Sequence, residues 1–284
     1  MSKKIAIVAD STASLSASML KTYNIYTSYL MIIFKDDSYQ EFKGISPEKF
    51  LELSAKQEEL PTTSQPAIGL TVELYEGIFK EGYDEIIHVT ISSELSGSYQ
   101  SAVQAASMVN EANIHVFDSK TVAFPQGGLA ICAAKMAQAG KGAAEIVAAL
   151  ADVQKTMHVQ ATVKTLENLK KGGRLSNASA VIGSMLQIKP IVAMSESGKL
   201  EAIAKVRTFK KALQSLIDAA KEAKLTEDYE IGVMHMENLA DAELVKAAVA
   251  SLYPNLTVHV LPLSLVVSAH VGEGTVGITW IKTG

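Results

Sequence analysis

Short apolar blocks alternate with helix-period stretches along the first half of the chain, each pair separated by a polar loop. Residues 4–10 (KIAIVAD) and 85–92 (EIIHVTIS) are nearly continuous apolar runs, and 114–118 (IHVFD) is a third. Blocks of this length, rich in Ile and Val, predict strands buried on both faces. Helical stretches are predicted over 100–110, 126–138 and 143–154, the last placing Ile146, Leu150 and Val153 on one face. Strand, polar loop and helix in repetition predict a parallel βαβ sheet with its ligand site at the carboxyl ends of the strands.

Beyond about residue 155 the pattern changes. Strands are predicted over 157–163, 188–194 and 200–206, with Ser197-Gly198 as a tight turn between the last two. A helix carrying Leu213, Leu216, Ile217 and Ala220 follows, then strands over 230–236 and 256–262 around a helix at 240–252. Residues 275–281 alternate, which predicts a half-exposed closing strand. The expected fold is α/β in two domains: residues 1–155 with a parallel sheet, and residues 156–284 with a mixed or antiparallel one.

Composition narrows the function. The chain has 284 residues, 48% apolar but only 6% aromatic, with a net charge of −4. This suits an aliphatic core and argues against nucleic-acid binding. Met1–Lys4 runs directly into the short block Ile5–Ala9, too brief for a signal-peptide core or a membrane span, so a cytoplasmic protein is expected. The single cysteine, Cys132, lies in an Ala-rich run and reads as a core thiol. Of 26 basic residues only Arg174 and Arg207 are arginines, whose planar fork of donors lysine does not reproduce.

Several chemical motifs fail on context. Residues 272–277 match G-x-G-x-x-G, yet too little chain follows for the helix and acidic residue a dinucleotide site needs. There is no P-loop and no G-x-S-x-G nucleophile elbow. His88, His115, His235 and His259 alternate with apolar neighbours, as sheet histidines do, so neither a metal nor another cofactor is expected. What survives is a set of hydroxyl- and glycine-bearing loops: residues 10–12, 62–66, 92–98, 118–120, 172–176 and 268–272. Together they suit an anion held by hydroxyls and backbone N–H groups at the end of an apolar sheet.

The stretches IVADST (7–12), TSQP (63–66), ISSELSGSYQ (91–100) and DSK (118–120) resemble the DegV family. So do LENLKKGGRL (166–175), IKPI (188–191) and KVRTFKKA (205–212). They occur in the family's order over nearly the whole chain. The resemblance implies a fatty-acid-binding, FakB-type subunit of bacterial fatty acid kinase, serving phospholipid synthesis. It would not be an enzyme by itself: it would hold an acyl chain, for example C16 or C18, between its two domains and present the carboxylate to a separate ATP-dependent kinase. Transient contact with a membrane surface fits that role.

Carried over by motif, Thr63, Ser96, Gly97 and His270 would hold the carboxylate. At about 0.8 kcal/mol per buried methylene, such a tail offers on the order of 10 kcal/mol before ordering costs, favouring a closed tunnel. Ile68, Leu95, Phe124, Ile182, Met185, Leu186, Met194 and Leu265 are lining candidates. Arg174 and Arg207 would dock the kinase or steady a phosphate. Two positions depart from the family's late G-x-H-x-G-P-G pattern: Ser268 stands where Gly is usual and Glu273 where Pro is usual. A competing reading is a serine hydrolase with Ser96 as nucleophile, His270 as base and Asp118 or Asp10 as orienter. A stand-alone lipid sensor would use the same site without a kinase.

Overall fold

The structure, a computed structural model, describes residues 3–35, 37–56, 61–109, 113–176 and 188–283. Its first sheet is fully parallel, in the order β2 (Ile25–Ser28), β1 (Ile5–Asp10), β6 (Glu85–Thr90), β7 (Asn113–Asp118). The period-2 alternation of β1 assigns its side chains to two different cores. Ala6 and Val8 pack with Tyr75 and Ile78 of α3 (Ile68–Lys80) and Ala105 of α4 (Ser98–Met108). Ile7 and Ala9 face α5 (Phe124–Gln138) and Ile146 and Leu150 of α6 (Ala143–Gln154).

The second sheet is mixed and has six strands, in the order β10 (Leu200–Val206), β9 (Lys189–Met194), β8 (His158–Thr162), β13 (Val276–Lys282), β11 (Tyr229–His235), β12 (Thr257–Pro262). Only β11 and β12 are parallel neighbours. The β9–β10 hairpin turns at Gly198, whose φ of +85° explains the glycine of the predicted turn. On one face, Val276, Ile278 and Trp280 of β13 pack with α8 (Phe209–Ala223) and α9 (Leu239–Leu252). The closing strand is therefore not half-exposed as its alternation predicts. It lies between β8 and β11 and is buried from Val276 to Ile281, because its other face meets α5 and a cavity.

Helix α5 is the shared wall. Its first eleven residues, Phe124–Ala134, are all buried, as a helix between two sheets requires. The approach is close enough that a Cβ on Gly128 would lie 2.7 Å from the Ile281 side chain of β13, and one on Gly127 would lie 2.5 Å from Leu15. Cys132 sits on this helix, only 3% exposed, its thiol pKa pushed up to about 11 chiefly by burial.

A third, small antiparallel sheet was not legible in the sequence: β4 (Asp37–Gln40), β3 (Met31–Phe34), β5 (Thr62–Ser64). It places Thr62–Ser64 of the 62–66 segment in a strand instead of a free loop. Helices α1 (Ala17–Tyr23) and α2 (Pro47–Lys56) belong to the same half of the chain. Two short helices complete the set, α7 (Glu167–Lys171) and α10 (Leu265–Val271). The last puts Ser268 and His270 on a helix where a loop was expected. No helix among the described residues is long and apolar enough to cross a membrane.

Candidate functional site

A cavity of about 280 Å³ lies between the inner face of the mixed sheet and the carboxyl ends of the parallel one. Val159 and Ala161 of β8 and Thr279 of β13 form one wall, and Ile91 and Val122, from loops after β6 and β7, form another. Leu30, Met234, Val266 and Val271 add aliphatic surface. At one side the lining turns polar, with Thr63, Gln65, Ser96, Gly97, Arg174 and His270. All four carboxylate-binding residues expected from sequence thus border one space.

Each is held by a local device. Thr63 is fixed by β5, paired with β3 at Ile32. Its Oγ1 lies 2.7 Å from His270 Nε2, bridging the small sheet to α10. Ser96 sits just before α4, where its Oγ accepts from Ser98 N–H at 3.2 Å and contacts Ser98 Oγ at 2.9 Å. Gly97 permits contact with Gln65, since a Cβ there would fall 2.0 Å from Gln65 Oε1. Gly172 is the seat of the imidazole: a Cβ would lie 2.5 Å from His270 Nδ1. Neither Gly172 nor Gln65 is singled out by the sequence, although both fall inside motifs it identifies.

Arg174 fastens two segments of this rim. Its Nε donates to Leu95 C=O at 3.0 Å and its Nη1 donates to Gly172 C=O. Burial and the neighbouring guanidinium push the His270 pKa down to about 4, so the imidazole is neutral at physiological pH. Arg207 lies elsewhere, exposed just beyond β10. The two arginines therefore do not form one cluster at the cavity.

Among the acyl-lining candidates, Leu95 borders the cavity and four others take different positions. Phe124 is fully buried in the core, packed on the Gly232 backbone and tilted against the His259 ring. Ile68 belongs to the α3 side of the parallel sheet, the opposite core. Met194 packs at the edge of clusters around Val192 and Leu200, and Leu265 is buried one residue before the cavity-facing Val266. Ile182, Met185 and Leu186 lie outside the described residues.

Behind the rim lies a buried acid network. Asp10 Oδ1 accepts from Thr12 N–H at 3.1 Å, from the Thr12 hydroxyl and from Gln126 Nε2 at 2.8 Å, while Oδ2 accepts from Ile91 N–H at 2.7 Å. It anchors the loop that carries Ile91 to the end of β1. Asp118 holds the neighbouring turn, accepting from Ser93 N–H, the Ser93 hydroxyl and Lys120 N–H. Both candidate orienting acids are thus engaged with loops, and the His270 nitrogen remote from Thr63 faces Gly172 instead of a carboxylate. Ser96 and His270 share no hydrogen bond in this arrangement, so a nucleophile–base–acid relay is not assembled. Two of the sheet histidines have hydrogen-bond partners, His88 Nδ1 on the Tyr75 hydroxyl at 2.6 Å and His259 Nε2 on Glu230 at 2.9 Å, while His115 Nε2 and His235 Nδ1 are buried without one. Among the described residues no cluster of His, Cys, Asp or Glu is arranged to hold a metal.

The two-domain α/β fold thus carries an aliphatic cavity with a hydroxyl-rich rim. The chain matches over residues 4–283 the model of a family described as an uncharacterised protein, DegV family. It belongs to the DegV family. It is 37% identical over 278 residues to the DegV domain-containing protein BH3627 of Halalkalibacterium halodurans, covering 98% of each chain. Among solved structures it resembles DegV of Bacillus subtilis, a fatty acid binding protein, with 34% identity and a TM-score of 0.89, covering 99% of this chain and 100% of that one. It also resembles the fatty acid binding DegV family protein SAG1342 of Streptococcus agalactiae, with 29% identity, a TM-score of 0.91 and the same coverage.

Proposed function

We propose that this protein binds a long-chain fatty acid and presents its carboxylate to a separate ATP-dependent kinase in the cytoplasm, which forms the acyl phosphate for phospholipid synthesis. The observation that carries the reading is the pairing of one aliphatic cavity with a polar rim on which the neutral donors Thr63, Ser96 and His270 stand beside Arg174, in a chain similar to the fatty acid binding DegV of Bacillus subtilis. The division between the domains falls near residue 155, and the acyl chain lies between them.

The hydrogen bonds have a required direction. A carboxylate only accepts, so the Thr63 hydroxyl must donate to it. Thr63 Oγ1 then accepts from His270 Nε2–H, which makes the neutral imidazole a donor through Nε2. Ser96 Oγ accepts from Ser98 N–H and, with the Ser98 hydroxyl donating across their 2.9 Å contact, keeps its own proton for the second carboxylate oxygen. Two hydroxyl donors hold the anion without the full charge of a cation, so the carboxylate stays nucleophilic toward a phosphoryl donor. Arg174 spends two of its five N–H donors on backbone carbonyls, and the remainder suit a phosphoryl group arriving at the rim. Exposed Arg207 suits the kinase-docking face.

Denaturing mass spectrometry of the purified protein tests the first half: a fatty acid is expected to co-purify or bind on addition. Ser96→Ala is expected to weaken binding, and Arg207→Ala to leave binding intact while slowing kinase-dependent acyl-phosphate formation. A protein with no affinity for any fatty acid overturns the reading. Equal binding losses in the two variants overturn the division of labour.

A further inference from the structure

Helix α10 carries His270 and contributes Val266, Val267 and Val271 to the cavity wall. It is tied to the small β3–β4–β5 sheet region at both ends. At its carboxyl end His270 bonds Thr63. At its amino end the Glu41 carboxylate, just after β4, accepts from Val266 N–H at 3.0 Å. The Glu41 backbone N–H donates to Leu30 C=O at 2.9 Å, and Leu30 N–H donates to Ser11 Oγ at 3.1 Å. Glu41 is 0% exposed, and its second oxygen, Oε2, has no hydrogen-bond partner.

We propose that Glu41 is a latch for α10, a positioning residue whose ionisation loosens the helix and speeds exchange of the acyl ligand. The proposal rests on the fatty-acid reading for its ligand, whereas the latch itself is a property of the protein alone.

The physical case is one of charge without a counter-charge. The acid that acts on Glu41 is Asp10, itself buried at the end of β1, and no Lys, Arg or His is paired with Glu41 among the described residues. Burial is the dominant influence and pushes the Glu41 pKa up to about 7 from an ordinary 4.5, with Asp10 acting in the same direction. The closed state therefore prefers the protonated acid, which keeps one acceptor for Val266 N–H. If α10 swings away, water reaches Glu41 and the ordinary carboxylate value returns. The closed-state value is the raised one, so closure is favoured at low pH and progressively lost as pH rises through it. For full exposure on opening, linkage between 4.5 and about 7 raises the opening constant about tenfold from about pH 6 to about pH 8 and flattens above that.

The test follows release of a fluorescent polyunsaturated fatty acid, cis-parinaric acid, into excess albumin across that pH range. The wild-type release rate is expected to rise about tenfold. Glu41→Gln keeps an acceptor for Val266 N–H but has no charge, and is expected to release slowly and independently of pH. A Glu41→Gln profile parallel to wild type overturns the latch. Amide hydrogen exchange at residues 265–271 of the unsubstituted protein gives a second reading that needs neither variant nor ligand. After correction for intrinsic exchange, the opening constant there is expected to rise about tenfold between the same pH values. An unchanged opening constant overturns the latch even if Glu41→Gln does not fold. A protein that binds no parinaric acid at any pH, yet shows the pH-dependent opening, overturns the fatty-acid reading and leaves the latch standing.

Discussion

Gly172→Ala is the most direct probe of the head-group geometry, because it adds one methyl group and removes no hydrogen-bonding atom. The new Cβ would stand 2.5 Å from His270 Nδ1 and 3.1 Å from Asn168 C=O. Ordinary contact begins near 3.5 Å, so the ring must retreat by about 1 Å. The ring is half-buried on α10, and its Nε2 sits 2.7 Å from Thr63 Oγ1. Forcing a methyl group into a filled space costs about 1–3 kcal/mol. Losing the Thr63–His270 bond adds about 1 kcal/mol. The sum, about 2–4 kcal/mol, corresponds to a fall in Tm of roughly 3–7 °C for a chain of this size. The same lost bond leaves the Thr63 hydroxyl unoriented, which is expected to weaken fatty-acid binding by about five- to tenfold. Differential scanning calorimetry and a parinaric acid titration read the two effects. Wild-type Tm together with wild-type affinity would refute the placement of His270 against Gly172. A lowered Tm with unchanged affinity would refute the role of the Thr63–His270 pair in holding the head group.

Three further outcomes are expected. Gly77→Ala, in α3 with no atom within 4 Å of the added Cβ, should stabilise the protein by about 0.5–1 kcal/mol in urea unfolding; a loss of stability would contradict the α3 environment. Asp10→Asn replaces an acceptor by a donor in a network of four donated hydrogen bonds, and is expected to cost about 2–4 kcal/mol by the same assay. The His270 ring, its pKa held down to about 4 first by burial and then by Arg174, should show an NMR midpoint near that value, rising in Arg174→Met; a wild-type midpoint near 6.5 would exclude the buried site. Because the folded value is the lowered one, His270 contributes stability above about pH 6.5 that is lost as pH falls toward 4.

How much of this was legible in the sequence depended on whether a pattern was local. The buried strands at 5–10 and 85–90 and the hairpin at Gly198 declare themselves by apolar runs and a left-handed glycine, whereas 113–118 is a strand as expected but lies at the sheet edge with only Phe117 buried. Residues 276–282 misled because alternation reports two different faces, not an exposed one: Val276, Ile278 and Trp280 meet helices, while Gly277 and Thr279 meet a cavity. The β3–β5 sheet has strands of three or four residues, too short for periodicity to register. Thr63, Ser96, Gly97 and His270 were found through family motifs, and the fold brings them around one cavity. The lining was harder. Ile68 and Phe124 are as apolar as Ile91 and Val122, and only the arrangement of sheets separates core from cavity wall. Glu41 left no signal, since it stands in a polar stretch where an exposed acid is the ordinary reading.

The placement of Cys132 gives the molecule its own clock. A thiol reagent can reach it only after α5 parts from the strand beside it, and α5 is the wall common to both sheets. The rate of modification in dilute reagent therefore counts excursions in which the seam between the sheets comes apart. Whatever fills the space between those sheets should slow that clock in proportion to its occupancy, so one side chain remote from the rim can report binding with no label attached.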